Sequence, residues 1–383
     1  MAGLYLHVPF CARACPYCDF DFQVGRRPDA ATFIAGLDRE LHARKDMSPG
    51  TGVIPPDTTW PTVYLGGGTP SLLGADGLTD LAAWIARHFP GAGASEYTVE
   101  VNPEHASPEL YAAIAGFGAT RVSLGIQTLD PAGLHALGRV HDAGAALAAL
   151  TTARAANLEI SADLIVGWPG QTAHSLAADV AAIVDAGARH VSVYALTVEA
   201  GTPWATLVRR GKRRLPDPDH QTDLLLAAHA CLVDAGLEHY EVASYAAPGL
   251  RARHNLGYWT WRDYLGLGPS AHSAVFGRDG SLIRRGNRRG LAPWLADPGP
   301  AGELDPQTPR AAAAEGLWTG LRHLPGLDLA AFLTRFPAVD RAWISARTAK
   351  QVARGNLELG EHSLRVAPGR WLWHDSIAAD LLA

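Results

Sequence analysis

Three of the chain's four cysteines, Cys11, Cys15 and Cys18, fall in one short run, His7-Val-Pro-Phe-Cys-Ala-Arg-Ala-Cys-Pro-Tyr-Cys-Asp19. A Cys-x3-Cys-x2-Cys spacing offers three soft thiolates from a single loop, which suits zinc or an iron–sulfur cluster. A structural zinc site takes four protein ligands, so three leave it incomplete. A cluster held by three cysteines leaves one iron open to a substrate or cofactor. Three buried structural thiols are the plain alternative, and the crowding of so rare a residue argues against it. Further along, Gly66-Gly67-Gly68-Thr69-Pro70 drops three consecutive Cβ atoms. That permits either a tight turn or close approach of the backbone to a ligand.

Elements that could position these groups recur along the chain. Short apolar, β-branched runs at Leu4–Val8, Thr62–Leu65, Tyr97–Val101, Arg121–Leu124, Ile160–Val166 and Val191–Leu196 read as strands. Between them, Ala30–Arg44, Gly77–Phe89, Pro108–Phe117, Ala143–Ala156 and Ser175–Ala186 carry apolar residues at helical spacing. Strand–helix alternation predicts parallel strands joined by crossover helices, with helices on one face and a packed interior on the other. The strand ends carry the chemistry: the cysteine loop, the glycine turn, Glu100-Val-Asn102, Gly125-Ile-Gln127 and Asp163 with Gly167-Trp-Pro-Gly170. In α/β barrels that is the face where sites are built. Six units predict a partial parallel (β/α)6 TIM-like barrel, open on one side. Ser48–Pro61 and Asp297–Pro309 read as Pro/Gly-rich irregular stretches, the second leading into a helical C-terminal part near Arg310. The expected division is a core over 1–235 and a C-terminal domain over 236–383.

Composition limits the function classes. In 383 residues, 48% are hydrophobic and 19% charged, ordinary for a globular chain. Lys plus Arg number 33 against 38 acids, a net charge of −5, so no basic excess points to nucleic acid. No apolar run approaches the ~20 residues of a membrane span. The start Met1-Ala-Gly-Leu-Tyr-Leu-His7 reads directly into a strand with no targeting segment. Few cysteines, mostly in one motif, fit a reducing compartment, and the cytoplasm is the expected location.

The cysteine run, with aromatic Tyr17 before its last cysteine, resembles the signature of the radical S-adenosylmethionine superfamily. The resemblance implies a 4Fe-4S cluster on Cys11, Cys15 and Cys18. It implies S-adenosylmethionine as cofactor, bound at its amino and carboxylate groups and cleaved reductively to methionine and a 5′-deoxyadenosyl radical. By the same resemblance Gly67, Gly68 and Thr69 meet the cofactor's methionine part and Glu100 its ribose. Tyr5, Tyr17, Gln127, Arg139 and Asp163 complete the cofactor pocket or hold a second molecule. Taken alone, Arg139 could equally be a surface helix residue and Glu100 a solvated carboxylate.

Denser matches narrow the family. Tyr5–Phe20, Val101-Asn-Pro-Glu104, Arg121–Gln127, Asp163–Gln171 and Ser192–Thr197 resemble the oxygen-independent coproporphyrinogen III oxidases, over about residues 4 to 273. The decarboxylating branch has a further cysteine two positions after the third and a longer N-terminal arm. Here that position is Phe20, and ten residues precede Cys11. Both departures resemble the HemW-type haem chaperone branch instead. So does His254-Asn-Leu-Gly-Tyr-Trp259, whose His254 that branch implicates in haem binding; a packed loop histidine among core aromatics is the other reading. The resemblance implies haem as cargo and acceptor haem proteins as partners, some at the cytoplasmic membrane surface, with the chain a monomer or cluster-dependent dimer. Oxidation of coproporphyrinogen III in porphyrin biosynthesis, an enzyme activity, stays open as the alternative to the chaperone branch. Cys231 reads as a core residue, Arg209–Arg214 as a solvated loop and Trp371-Leu-Trp373 as the closure of a small core.

Overall fold

Six parallel strands, β1 (Ala2–Val8), β2 (Thr62–Gly67), β3 (Glu96–Val101), β4 (Arg121–Gln127), β5 (Glu159–Val166) and β6 (His190–Ala195), lie side by side in chain order. The computed structural model describes residues 1–25, 28–45, 57–214, 216–298 and 302–382. The first part of the expected loop at 48–61 and residues 299–301 of the second irregular stretch lie outside the described residues. Crossover helices α1 (Ala30–Lys45), α2 (Gly74–His88), α3 (Pro108–Gly116), α4 (Pro131–Ala136), α5 (Ala143–Ala155) and α6 (Ala173–Asp185) join the strands. Side chains of Ser107, Asp130, Asp142 and Thr172 accept backbone N–H bonds at the starts of the last four, fixing where each helix begins. The fold is the partial (β/α)6 TIM-like barrel that the alternation predicts.

The strand faces differ from the expectation of a wholly packed interior. Apolar residues of one face, such as Val63, Val99, Val122, Ile160 and Val191, are buried under the helices. The opposite face carries Tyr64, Thr98, Glu100, Ser123, Ser161, Asp163, Ser192 and Tyr194. Register aligns these polar residues across strands: Tyr64 with Thr98, Glu100 with Ser123, Ser123 with Ser161 and Asp163 with Ser192. Successive side chains point to opposite faces of a strand, so the barrel is lined with polar layers.

The sheet continues at both edges. After helices α7 (Pro203–Arg209) and α8 (Pro218–Asp234), the hairpin β7 (Glu238–Glu241) and β8 (Ser244–Ala246) adds antiparallel to β6. Helix α9 (Arg253–Trp259) leads to β9 (Asp263–Leu267), which lies parallel to β1 at the far edge. Strands β10 (His272–Phe276), β11 (Leu282–Gly286) and β12 (Leu304–Gln307) extend that edge as an antiparallel meander. β12 occupies part of the stretch expected to be irregular. Helix α10 (Leu291–Ala296) sets Trp294 against α1, and α11 (Pro309–Gly320) begins beside Arg310 as expected. Helices α12 (Leu329–Arg335), α13 (Arg341–Ala353) and α14 (His374–Leu382) pack with a small sheet of β13 (Leu327–Asp328), β14 (Leu357–Leu359) and β15 (Ser363–Val366). A second core of Trp261, Phe332, Phe336, Ile344 and Leu364 holds this C-terminal part.

The minor sequence readings fare unevenly. Cys231 packs half-buried against the main core, and Trp371 is buried against His239 while Trp373 is exposed. Within Arg209–Arg214 the run is exposed as expected except at Arg213, which is half-buried with its guanidinium 4.3 Å from the Trp204 ring. Among the described residues no helix is long and apolar enough to cross a membrane.

Candidate functional site

The loop between β1 and α1 carries the cysteines and is fastened at several points. Phe10–Cys11 pairs with Gln23–Val24, closing its base. Its middle is held by Trp204, whose backbone N–H donates to the Pro16 carbonyl at 2.8 Å. Gly138 (φ 69°) also packs there, since a Cβ would stand 2.7 Å from Pro16 Cδ. The three thiols are half-buried and in no disulfide. The Thr69 hydroxyl lies 3.4 Å from Cys11 Sγ, and Arg139 Nη1 lies 3.6 Å from Cys15 Sγ. Burial pushes the Cys11 thiol up and Cys18 up to about 11. Ionising them calls for positive charge close by, which a metal centre supplies. Among the described residues no three His, Cys, Asp or Glu side chains lie close enough to hold a single metal ion, the cysteine triplet included. Thiolates that each bind a different iron of a cluster need no such convergence. The donor set fits a cluster with an open iron.

Cys11, Cys15, Tyr17, Cys18, Gly67, Gly68, Thr69, Glu100, Gln127, Arg139 and Asp163 all line one cavity of about 470 Å³ at the C-terminal ends of the strands. Arg139 is not a surface residue: Nη2 donates to Asn102 Oδ1 at 2.7 Å and to the Gly125 carbonyl at 3.0 Å, while its buried Nε has no partner among the described residues. Gln127 sits at a register shift between β4 and β5 with φ 66°, a backbone state costly for a side chain other than glycine. The sequence reading did not single out Tyr64, Ser123, Ser192 or Tyr194, which also face this cavity. Their signal was the period-two placement of polar residues on β2 to β6.

The glycine turn is built by protein contacts. Gly67 has φ 107°, and a Cβ there would stand 2.5 Å from the His7 ring. A Cβ on Gly66 would meet Glu100 Oε1 at 2.8 Å, and one on Gly68 would meet Val8 and Phe10 backbone atoms at 2.7–2.8 Å. The expectation that glycines make room for a ligand is therefore corrected at Gly68: the space belongs to the cysteine loop. Glu100 accepts from Tyr64 OH at 2.8 Å and from Gly67 N–H at 3.1 Å. Burial raises Glu100 to about 7 against the pull of Tyr64, with Asp163 adding to the rise. Burial likewise raises Asp163 to about 6 against hydrogen bonds from Ser123 and Ser192.

A pH-dependent outcome follows from Glu100. Its folded value is near 7, above the roughly 4.5 of a free side chain. The stability this protonation lends is full below about 4.5 and is lost as pH rises through about 7. Each tenfold difference in proton affinity between the folded and unfolded chain is worth ~1.4 kcal/mol. Without cofactor, Glu100→Gln is expected to gain Tm relative to wild type as pH goes from about 5 to about 8. A Tm difference that stays flat across that range would mean the buried carboxyl is ionised throughout.

A second cavity, of about 570 Å³, lies toward the C-terminal part and meets the first at Phe20, Gly67 and Glu100, which line both. Tyr5 stands on this second wall and not on the first. Helix α9 separates the two: Asn255 faces the first, Tyr258 and Trp259 the second. His254 itself lines neither. It is 3% exposed, with Nδ1 at 3.0 Å from Thr62 Oγ1 and Nε2 at 2.8 Å from Tyr258 OH, and burial depresses it to about 3. Asp21, just past the cysteines, ties the loops around this cavity together: Ser270 Oγ donates to its carboxylate at 2.7 Å, and its carbonyl lies 2.7 Å from His7 Nε2.

Comparison with known proteins places this geometry. The Radical SAM superfamily model matches residues 5–183. Heme chaperone HemW of Mycobacterium tuberculosis is 43% identical over 71% of this chain and 69% of its own length. Its namesake in Bacillus subtilis is 30% identical over 88% and 87%, and that of Escherichia coli 32% over 74% and 72%. Among solved structures, coproporphyrinogen III oxidase (HemN) from Escherichia coli superposes with a TM-score of 0.81 over 99% of this chain and 89% of that one, at 21% identity, a likeness of fold. A radical SAM domain implies a 4Fe-4S cluster and S-adenosylmethionine in general.

Proposed function

The chain belongs to the HemW heme chaperone family within the radical SAM superfamily, and we propose that it binds haem and passes it to acceptor haem proteins. In this reading Cys11, Cys15 and Cys18 hold a 4Fe-4S cluster, and S-adenosylmethionine takes the 470 Å³ cavity between Thr69, Glu100, Gln127, Arg139 and Asp163. When bound, the cluster supplies a one-electron reductant beside the cofactor. The chain's own residues orient and neutralise: Tyr64 and the Gly67 N–H fix the Glu100 carboxyl, and Arg139 sets its cation beside Cys15. The first cavity serves the cofactor, and the second, lined by Tyr5, His7 and Phe20 together with residues beyond 236, serves the cargo. The chain works in the cytoplasm and meets membrane-bound acceptors at the membrane surface.

The observation that carries the cargo reading is the second cavity. Its volume of about 570 Å³ is in the range of small-molecule sites, and Tyr258, Trp259 and Tyr264 give it aromatic walls suited to a flat macrocycle. Phe20, 63% exposed on the rim shared by both cavities, puts an apolar ring where the oxidase branch has a further cysteine.

A paired assay on one anaerobically reconstituted sample tests this. Haem is expected to stay with the chain through gel filtration. Coproporphyrinogen III, incubated with S-adenosylmethionine and a reductant, is expected to yield no protoporphyrinogen IX. Appearance of that product would move the chain to the oxidases, and failure to retain haem would remove the chaperone reading.

A further inference from the structure

We infer that His272 provides the axial ligand to the iron of haem seated in the second cavity, an assignment that rests on the haem-binding reading above. Three imidazoles lie in or beside this cavity, and two are already engaged. His7 is buried, its Nδ1 at 3.0 Å from Tyr5 OH and its Nε2 at 2.7 Å from the Asp21 carbonyl. His254 is held on both nitrogens by Thr62 and Tyr258. Iron could reach either ring only by breaking a buried hydrogen bond. His272 is exposed on the cavity wall, and among the described residues its imidazole has no hydrogen-bond or ion-pair partner. A neutral imidazole with an open nitrogen is a common haem ligand.

The surroundings of His272 are shaped for that role. It opens β10 directly opposite Gly286 on β11. A Cβ on Gly286 would stand 2.9 Å from His272 Nε2, so the ring lies across the bare backbone of the neighbouring strand. Tyr258, Trp259, Tyr264 and Phe276 supply ring faces on the same cavity. Two arginines also line it. Arg284 is paired with Asp305 and Glu315, whereas Arg262 has no ion-pair partner among the described residues. Arg262 is thus the cation available to a propionate carboxylate.

The test uses the full-length, anaerobically reconstituted chain and two probes, iron(III) protoporphyrin IX and metal-free protoporphyrin IX. His272→Ala is expected to weaken the iron porphyrin by about tenfold or more and to shift its Soret band. The same variant is expected to bind metal-free porphyrin as wild type does, because no iron bond is lost. Added imidazole is expected to restore the wild-type spectrum. Equal loss for both porphyrins would make His272 a wall residue and overturn the assignment. A spectrum that changes in His254→Gln but not in His272→Ala would return the ligand to α9 and overturn it too. If wild type binds neither porphyrin, it is the haem reading itself that fails.

Discussion

Anaerobically reconstituted Cys15→Ser protein is expected to lack iron–sulfur absorption and to hold under about a tenth of the roughly four irons per chain of wild type. A three-cysteine site has no spare donor. The fourth cysteine, Cys231, belongs to α8 and packs against the barrel core rather than the cavity. A serine oxygen is a harder, more basic ligand and a poor replacement for thiolate toward iron–sulfur chemistry. Cys15 is also the thiol beside Arg139, at 3.6 Å from Nη1, so this position couples the cluster loop to β4 and the Asn102 turn. Cys11 and Cys18 are pushed up by burial, which leaves the remaining pair a weak metal site. Iron analysis and visible spectra read the outcome. Wild type that takes up zinc alone and no iron would overturn the cluster assignment, and a Cys15→Ser chain with wild-type iron content would remove Cys15 from it.

Much of the barrel and most of its site are legible in the chain itself. All six parallel strands and five crossover helices fall within a few residues of their expected bounds, because apolar periodicity and capping residues act locally. Eleven of the candidate residues, from Cys11 to Asp163, line one cavity; the strand ends pointed to that face, and the family resemblance named Tyr17 and Arg139. Two things escaped. The polar lining of the barrel was overlooked because the strands read as nearly continuous apolar runs, although Tyr-Thr-Val-Glu-Val on β3 and Val-Ser-Val-Tyr-Ala on β6 alternate plainly. The far edge was missed for a different reason. Strand β9 pairs with β1 across more than 250 residues of sequence, a long-range contact no local pattern encodes. With that pairing unseen, the second cavity had no address, and His254 stood out by motif alone.

Gly68→Val is expected to lose the cluster together with cofactor binding, rather than the cofactor alone. Gly68 donates its N–H to the Val8 carbonyl at 2.9 Å, where β1 turns into the cysteine loop. A Cβ would press on Phe10 N, Phe10 O and Val8 O at 2.7–2.8 Å, and backbone atoms cannot rotate away as a flexible side chain can. Forcing added bulk into such a contact costs ~1–3 kcal/mol, which shifts a loop's population by roughly fivefold to a hundredfold. The relief available is movement of Phe10–Cys11, the segment that carries the first thiol and pairs with Gln23–Val24. Gly116→Ala is the control: no atom beyond its own helical turn lies within 4 Å of its added Cβ, and iron content there is expected to stay at the wild-type level. Iron per chain, visible absorption and calorimetric binding of S-adenosylmethionine separate the possibilities. Gly68→Val with full iron but no cofactor affinity would mean that the turn gives way without moving the cysteines and that the glycine is kept for the ligand. Loss of iron and cofactor together identifies Gly68 as the joint between the first two strand ends, holding Cys11 in place for the site they share.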